Sequence, residues 1–225
     1  MPIQLEKVVP WGRLMEEYVG MFALDERDLG KTILGCGDGP ASFNVEWNAR
    51  GGSVISCDPI YVFSPEQIRQ RVHETRDYMI QAVREARDTF VWDTIRSPED
   101  LERRRLAAME AFLADFGSGQ SRGRYVPAGL PHLPFADDAF DLALSSHLLF
   151  LYAEQLSLDF HVQSLIEMCR VAREVRVFPL LMIGNRPSPH VPRVKDRLAE
   201  AGFKVEVRRV DYEFQKGGNE MMVIG

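Results

Sequence analysis

The run Lys31 to Phe43, KTILGCGDGPASF, constrains this chain more than any other stretch. A short apolar segment breaks into Gly35, Gly37 and Gly39 and is followed by helix-compatible residues, the pattern of a strand, a glycine turn and a helix start. Glycines at alternate positions allow φ/ψ values closed to other residues and let the backbone approach a ligand where a Cβ would collide. The helix beyond the turn presents unpaired N–H groups and the positive end of its dipole to a polar ligand. An ordinary tight turn would use the same residues, so what the rest of the chain places beside it decides the reading.

Two partner features follow. After a helical stretch over 41–49 and Gly51-Gly52 comes an apolar strand, Ser53 to Cys57, that ends on Asp58. This acid lies roughly twenty residues beyond the glycines, close to the spacing at which a second-strand carboxylate meets a ribose in nucleotide-binding βαβ units. A carboxylate there can accept hydrogen bonds from both ribose hydroxyls. Further on, Leu133-Pro134-Phe135, a polar turn through Asp137 and Asp138, and Phe140-Asp141 lead into an apolar strand over Leu142 to Leu144.

GCGDG, the acid at Asp58 and the LPF-turn-FD run together resemble the motifs of class I S-adenosylmethionine-dependent methyltransferases, in family order and near family spacing. The resemblance covers roughly Lys31 to Gly225 apart from a long insertion. It implies an α/β fold, a seven-stranded, mostly parallel, doubly wound sheet closed by an antiparallel C-terminal hairpin strand. It also implies S-adenosyl-L-methionine as cofactor. Its ligands would be Gly35, Cys36, Gly37 and Gly39 in the turn, Asp58 and Pro59 at the second strand's tip, Leu130 through its N–H, Ser145 after the fourth strand, and Arg13 for the carboxylate. A nicotinamide-binding turn reads GxGxxG, whereas here Gly39 falls one position early and Pro40 follows, which argues against that cofactor. Two acids common in the family are absent: Ile33 stands two residues before the first glycine, and none lies near Gly129.

With 225 residues the chain is expected to form one domain over 1–225, with an N-terminal amphipathic helix over 11–24 and a helical insertion at about 61–121. A net charge of -6 supplies no bulk electrostatic reason to bind nucleic acid or an anionic membrane. The three cysteines lack CxxC spacing, so neither a disulfide framework nor a metal site is suggested, and a reducing cytoplasmic setting fits. No apolar run reaches the roughly 18 residues of a membrane span.

In the insertion, Ser64-Pro65-Glu66-Gln67 and Ser97-Pro98-Glu99-Asp100 are two similar helix openings, each with Ser at the N-cap and Pro at N1. The unit is expected to end at Gly117-Ser118-Gly119. Its many arginines, Arg103 to Arg105 among them, alternate with acids and read as a solvated, paired surface. The pair would form a lid or substrate wall on the cofactor-binding edge, or merely enlarge the fold.

Ser145-Ser146-His147, at the carboxyl end of strand four, is where ligand chemistry is expected in such a sheet. A sulfonium methyl is already activated, so the protein must mainly align the nucleophile and exclude water. His147 is the candidate proton acceptor for a hydroxyl or ammonium nucleophile, or alternatively a wall beneath the cofactor. His190, beyond the Pro-broken loop 184–189, is a weaker second candidate. No Asn-Pro-Pro-Tyr motif follows strand four, which turns the expectation away from base or glutamine methylation. The function so implied is methylation of a small-molecule acceptor. A cofactor-binding regulatory module without transfer activity is the alternative, and aminopropyl transfer lacks the acidic polyamine motif it would need.

Overall fold

The computed structural model describes residues 10–225. Strands β1 (Thr32–Cys36), β2 (Ser53–Cys57), β3 (Tyr125–Val126), β4 (Phe140–Ser146), β5 (Ala172–Phe178), β8 (Val205–Arg209) and β9 (Glu220–Ile224) form one sheet in the order β3-β2-β1-β4-β5-β9-β8. A separate pair joins β6 (Leu181–Met182) to β7 (Arg186–Pro187). The first five sheet strands are parallel, and β9 enters antiparallel between β5 and β8, as expected for a doubly wound sheet with a reversed C-terminal hairpin.

Strand alternation splits the core into two layers. Ile33, Leu142, Leu144 and Val223 face helices α1 (Met15–Phe22) and α2 (Phe43–Ala49), which contribute Tyr18, Met21, Phe22, Phe43 and Trp47. Leu34, Ala143, Val175 and Met222 face the opposite way, onto α5 (Leu158–Val171) and α6 (His190–Glu200). Ile33, at the position of the absent family acid, is therefore a core residue. The N-terminal helix is shorter than 11–24 because the chain must first lie flat on the glycine turn: a Cβ at Gly12 would sit 2.0 Å from the carbonyl oxygen of Pro40.

The insertion is a helical pair, α3 (Pro65–Glu85) and α4 (Pro98–Ser121). Ser64 and Ser97 cap them, accepting from the N–H groups of Gln67 and Asp100. Helix α4 does not end at Gly117-Ser118-Gly119. It runs on to Ser121, and Gly119 lets the Tyr125 ring lie against it, where a Cβ would come within 2.4 Å. Arg69 pairs with Glu110 and Arg84 with Glu99 on the surface, as the charge pattern suggests. Arg105 breaks that pattern. Its side chain is 2% exposed and holds Glu17 of α1 through two hydrogen bonds, one of them Nη2 to Oε1 at 2.8 Å.

Two further boundaries differ from the sequence pattern. The apolar run over 175–183 is not one strand; β5 stops at Phe178, and Pro179, which has no N–H for a ladder, separates it from β6. The sequence pattern predicts a strand over 203–214 before a turn at 216–219; the turn is there, but β8 stops at Arg209, and residues 210–214 are loop and turn back to the insertion: Val91 N–H donates to Phe214 O at 2.8 Å, and the Phe90 and Phe214 rings stack 4.7 Å apart. Among the described residues no helix is long and apolar enough to cross a membrane.

Glu17 also accepts from the Tyr212 hydroxyl at 2.9 Å and from Leu14 N–H at 3.1 Å. Burial alone would push its carboxyl up, but the charge and hydrogen bonds of Arg105 outweigh that and hold it below its ordinary value. Removing one partner of a buried pair leaves the other charge uncompensated, so Glu17→Ala is expected to destabilise the fold by about 3–5 kcal/mol in urea titrations. A depressed carboxyl pKa stabilises above the unfolded value, so the wild type loses this contribution as pH falls below roughly 4, and the variant shows no such step.

Candidate functional site

The glycine turn is strapped down by the chain that leaves β2. Gly37 N–H donates to Cys57 O at 2.8 Å, Gly39 N–H to Asp58 Oδ2 at 2.8 Å, and the Tyr61 hydroxyl to Gly39 O at 2.8 Å. Gly37 and Gly39 have φ of 72° and 54°, the left-handed region that other residues enter only with strain. Gly35 is glycine for a different reason. It lies inside β1, and a Cβ there would fall 1.8 Å from Oδ2 of Asp38, whose carboxylate folds under the turn. Asp38 accepts from the Tyr18 hydroxyl at 2.9 Å and the Ser56 hydroxyl at 2.6 Å, which ties the turn to α1 and β2. Burial pushes its carboxyl up to about 6, against the pull of those two hydroxyls.

Above the turn opens a cavity of about 510 Å³. Arg13, Gly37, Gly39, Asp58, Pro59, Leu130 and His147 all line it. The other sequence-derived candidates stand apart: Gly35 is within the strand, Cys36 is buried opposite Cys57, and the Ser145 side chain is fully buried with its hydroxyl unpartnered. It is Ser146, one residue on and therefore on the other face of β4, that reaches the cavity. Gly129, where the second family acid is absent, presses on Pro59; a Cβ would come within 2.7 Å of its Cγ. Each oxygen of Asp58 already accepts one backbone N–H, from Gly39 and from Ile60 at 2.9 Å, which fixes the carboxylate facing the turn. Val62 and Phe63 stand exposed on the rim, with the Arg71 guanidinium over the Phe63 ring.

A second cavity, of about 460 Å³, shares Trp11, Arg13 and His147 with the first. Helix α3 supplies Met79 and Val83 to its wall, and Phe90, Phe214 and Leu151 complete an apolar lining. Gly184 and Asn185, of the loop after β6, also line it; His190 does not, because its Nε2 is engaged with the carbonyls of Ala153 and Leu156 at 3.1 and 3.2 Å. Arg105 lines this cavity too, and no sequence signal marked it among the many arginines of α4.

His147 sits at the junction with φ 53°, its N–H donating to Phe178 O at 2.7 Å and its Nδ1 2.9 Å from the Ser146 hydroxyl. Burial, then the charges of Arg13 and Arg105, hold its pKa well below the usual histidine value. The ring is neutral at neutral pH. It can accept or donate a hydrogen bond there, but it is a poor reservoir for a proton.

No protein-family model matches the chain. It is 32% identical over 223 residues to the uncharacterized protein MJ0045 of Methanocaldococcus jannaschii, covering 99% of this chain and 98% of that one. Among solved structures it is similar to a SAM-dependent methyltransferase from Aquifex aeolicus, at 15% identity and TM-score 0.43 over 90% of this chain and 86% of that one. It is also similar to magnesium protoporphyrin IX methyltransferase from Synechocystis with bound SAM, at 10% identity and TM-score 0.48 over 93% and 76%. The strand order and the reversed β9 are those of a doubly wound α/β sheet with an antiparallel C-terminal strand, and the glycine turn lies between β1 and α2.

Because the Asp38 carboxyl is raised in the folded state, its ionisation opposes folding: the stabilising, protonated form is complete below the unfolded value of about 3.9 and is lost as pH rises through about 6. Asp38→Asn keeps an acceptor for Tyr18 and removes the charge. In urea titrations its stability relative to wild type is expected to climb across that window, by an amount on the order of 3 kcal/mol.

Proposed function

The chain belongs to the family of the uncharacterized protein MJ0045, and we propose that it is an S-adenosylmethionine-dependent methyltransferase acting on a small-molecule acceptor. The observation that carries this reading is the pair of cavities meeting at one wall of Trp11, Arg13 and His147. One is built on the glycine turn and Asp58, the other is apolar and lies between the insertion and the C-terminal loop. A module that only sensed the cofactor would have no use for the second.

The residues of the first cavity fit the cofactor. Gly37 and Gly39 leave the turn without side chains, and each Asp58 oxygen, already holding one N–H, keeps a lone pair for a ribose hydroxyl. Pro59 and Leu130 offer apolar surface and a backbone N–H on the adenine side. When bound, S-adenosylmethionine supplies a methyl group already activated by its sulfonium. Transfer then requires alignment and a dry junction, which the aromatic and aliphatic lining of the second cavity provides. Arg13 faces both cavities; among the described residues its Nη1 alone is bonded, to Trp11 O at 3.3 Å, which leaves donors for the cofactor carboxylate. His147, neutral and held by Ser146, orients the nucleophile by hydrogen bonding.

S-adenosylhomocysteine at about 100 times its Kd is expected to stabilise the protein by about 2.7 kcal/mol in a thermal melt, and NAD to leave the midpoint unmoved. No shift with S-adenosylhomocysteine ends the cofactor assignment. Asp58→Asn is expected to weaken that binding roughly tenfold or more, read by calorimetry. In an NMR titration the His147 ring is expected to stay neutral through the range near 6.5 where a free imidazole protonates. A midpoint in that range ends the account of a neutral wall.

A further inference from the structure

Among the described residues, the wall between the cavities carries more positive charge than its partners neutralise. Arg13 and Arg105 both line the second cavity, and a single buried carboxylate, Glu17, lies between them. Arg105 spends both Nη groups on Glu17, yet its Nε, buried and 2% exposed as a side chain, has no partner. The Nε of Arg13 is likewise buried and has no partner among the described residues. Guanidinium donors left unbonded in an apolar enclosure are costly unless something else accepts from them. Among the described residues the charged groups lining this volume are those two arginines and the exposed Glu85 and Asp88. The inner end is cationic and the rim anionic.

Between these ends the lining is flat and aromatic. Trp11, Phe90 and Phe214 contribute rings, and Met79, Val83 and Leu151 the aliphatic remainder. The cavity of about 460 Å³ has the size of a drug-like ligand site. A bulky polyanion would meet Glu85 and Asp88 on the way in. A neutral acceptor could bond to a guanidinium but would leave the excess positive charge uncompensated.

We infer that the acceptor of the proposed transfer is a monocarboxylic acid with a flat apolar body, its carboxylate held by Arg13 and Arg105 at the wall and its body packed among Trp11, Phe90 and Phe214. This rests on the methyltransferase reading for the word acceptor, but the binding itself does not need the cofactor. Arg13 then serves an anion on either side of the wall. Neutral His147 suits such a ligand, since a protonated imidazole beside two guanidiniums is not required to hold it.

Cinnamate and its neutral isostere cinnamamide test the inference on the full chain, by calorimetry with and without saturating S-adenosylhomocysteine. The wild type is expected to bind cinnamate at least tenfold more tightly than cinnamamide, in line with a charge-assisted hydrogen bond. Arg13→Gln is expected to reduce that ratio to near one, and Arg13→Lys to restore part of it. Equal affinity for acid and amide, or binding of neither, overturns the inference even when S-adenosylhomocysteine binds. Failure of S-adenosylhomocysteine to bind while the acid preference persists overturns the methyltransferase reading and leaves the carboxylate site standing. An unchanged ratio in folded Arg13→Gln, judged by near-UV circular dichroism, removes the arginine from the site.

Discussion

A single carboxylate, that of Glu17, joins three parts of the chain that are far apart in sequence. Arg105 reaches it from the insertion, Tyr212 from the C-terminal loop, and Leu14 from its own helix N-terminus. Each ion would be strongly disfavoured alone in so enclosed a place, and the four hydrogen bonds make the arrangement tolerable. The consequence is geometric. With insertion, first helix and C-terminal loop drawn to one point, the space between them has fixed walls, and that space is the second cavity.

The first cavity depends on a different network, and the two meet at the N-terminal segment. Asp38 turns beneath the glycines and is held by Tyr18, one residue along α1 from Glu17. Residues 11–13 cross from one network to the other, lying on Pro40 by way of Gly12 and presenting Trp11 and Arg13 to both volumes. The helix that holds the turn in place is thus also the helix that anchors the insertion. In the proposed enzyme this couples the cofactor side to the acceptor side through packed side chains and short hydrogen bonds.

The charge distribution follows the same division. Beneath the glycine turn the ionisable groups are carboxylates, Asp38 and Asp58, both pushed up by burial and both satisfied by donors from the protein. The second cavity is lined by the guanidiniums of Arg13 and Arg105, whose Nε groups are unbonded among the described residues, and by the neutral imidazole of His147, which with Arg13 also lines the first.

Local pattern settled a great deal. Glycine spacing located the turn, because only glycine relieves the steric limits at positive φ. Apolar alternation located the strands, and Ser-Pro pairs the helix starts, since capping is a matter of a few adjacent residues. Asp58 was legible because βαβ geometry carries the end of one strand to the tip of the next at nearly constant chain length. What sequence could not settle was direction and distance. Whether Ser145 or Ser146 faces the cavity turns on one residue of strand register, and Gly35 makes room for a side chain three positions away. Arg105 looks in the sequence like exposed Arg103 and half-buried Arg104; it is buried because α4 is set against α1, where Glu17 waits 88 residues earlier in the chain. The second cavity belongs wholly to that level, for its walls come from segments that share no local signal, and their convergence is a property of the packed chain alone.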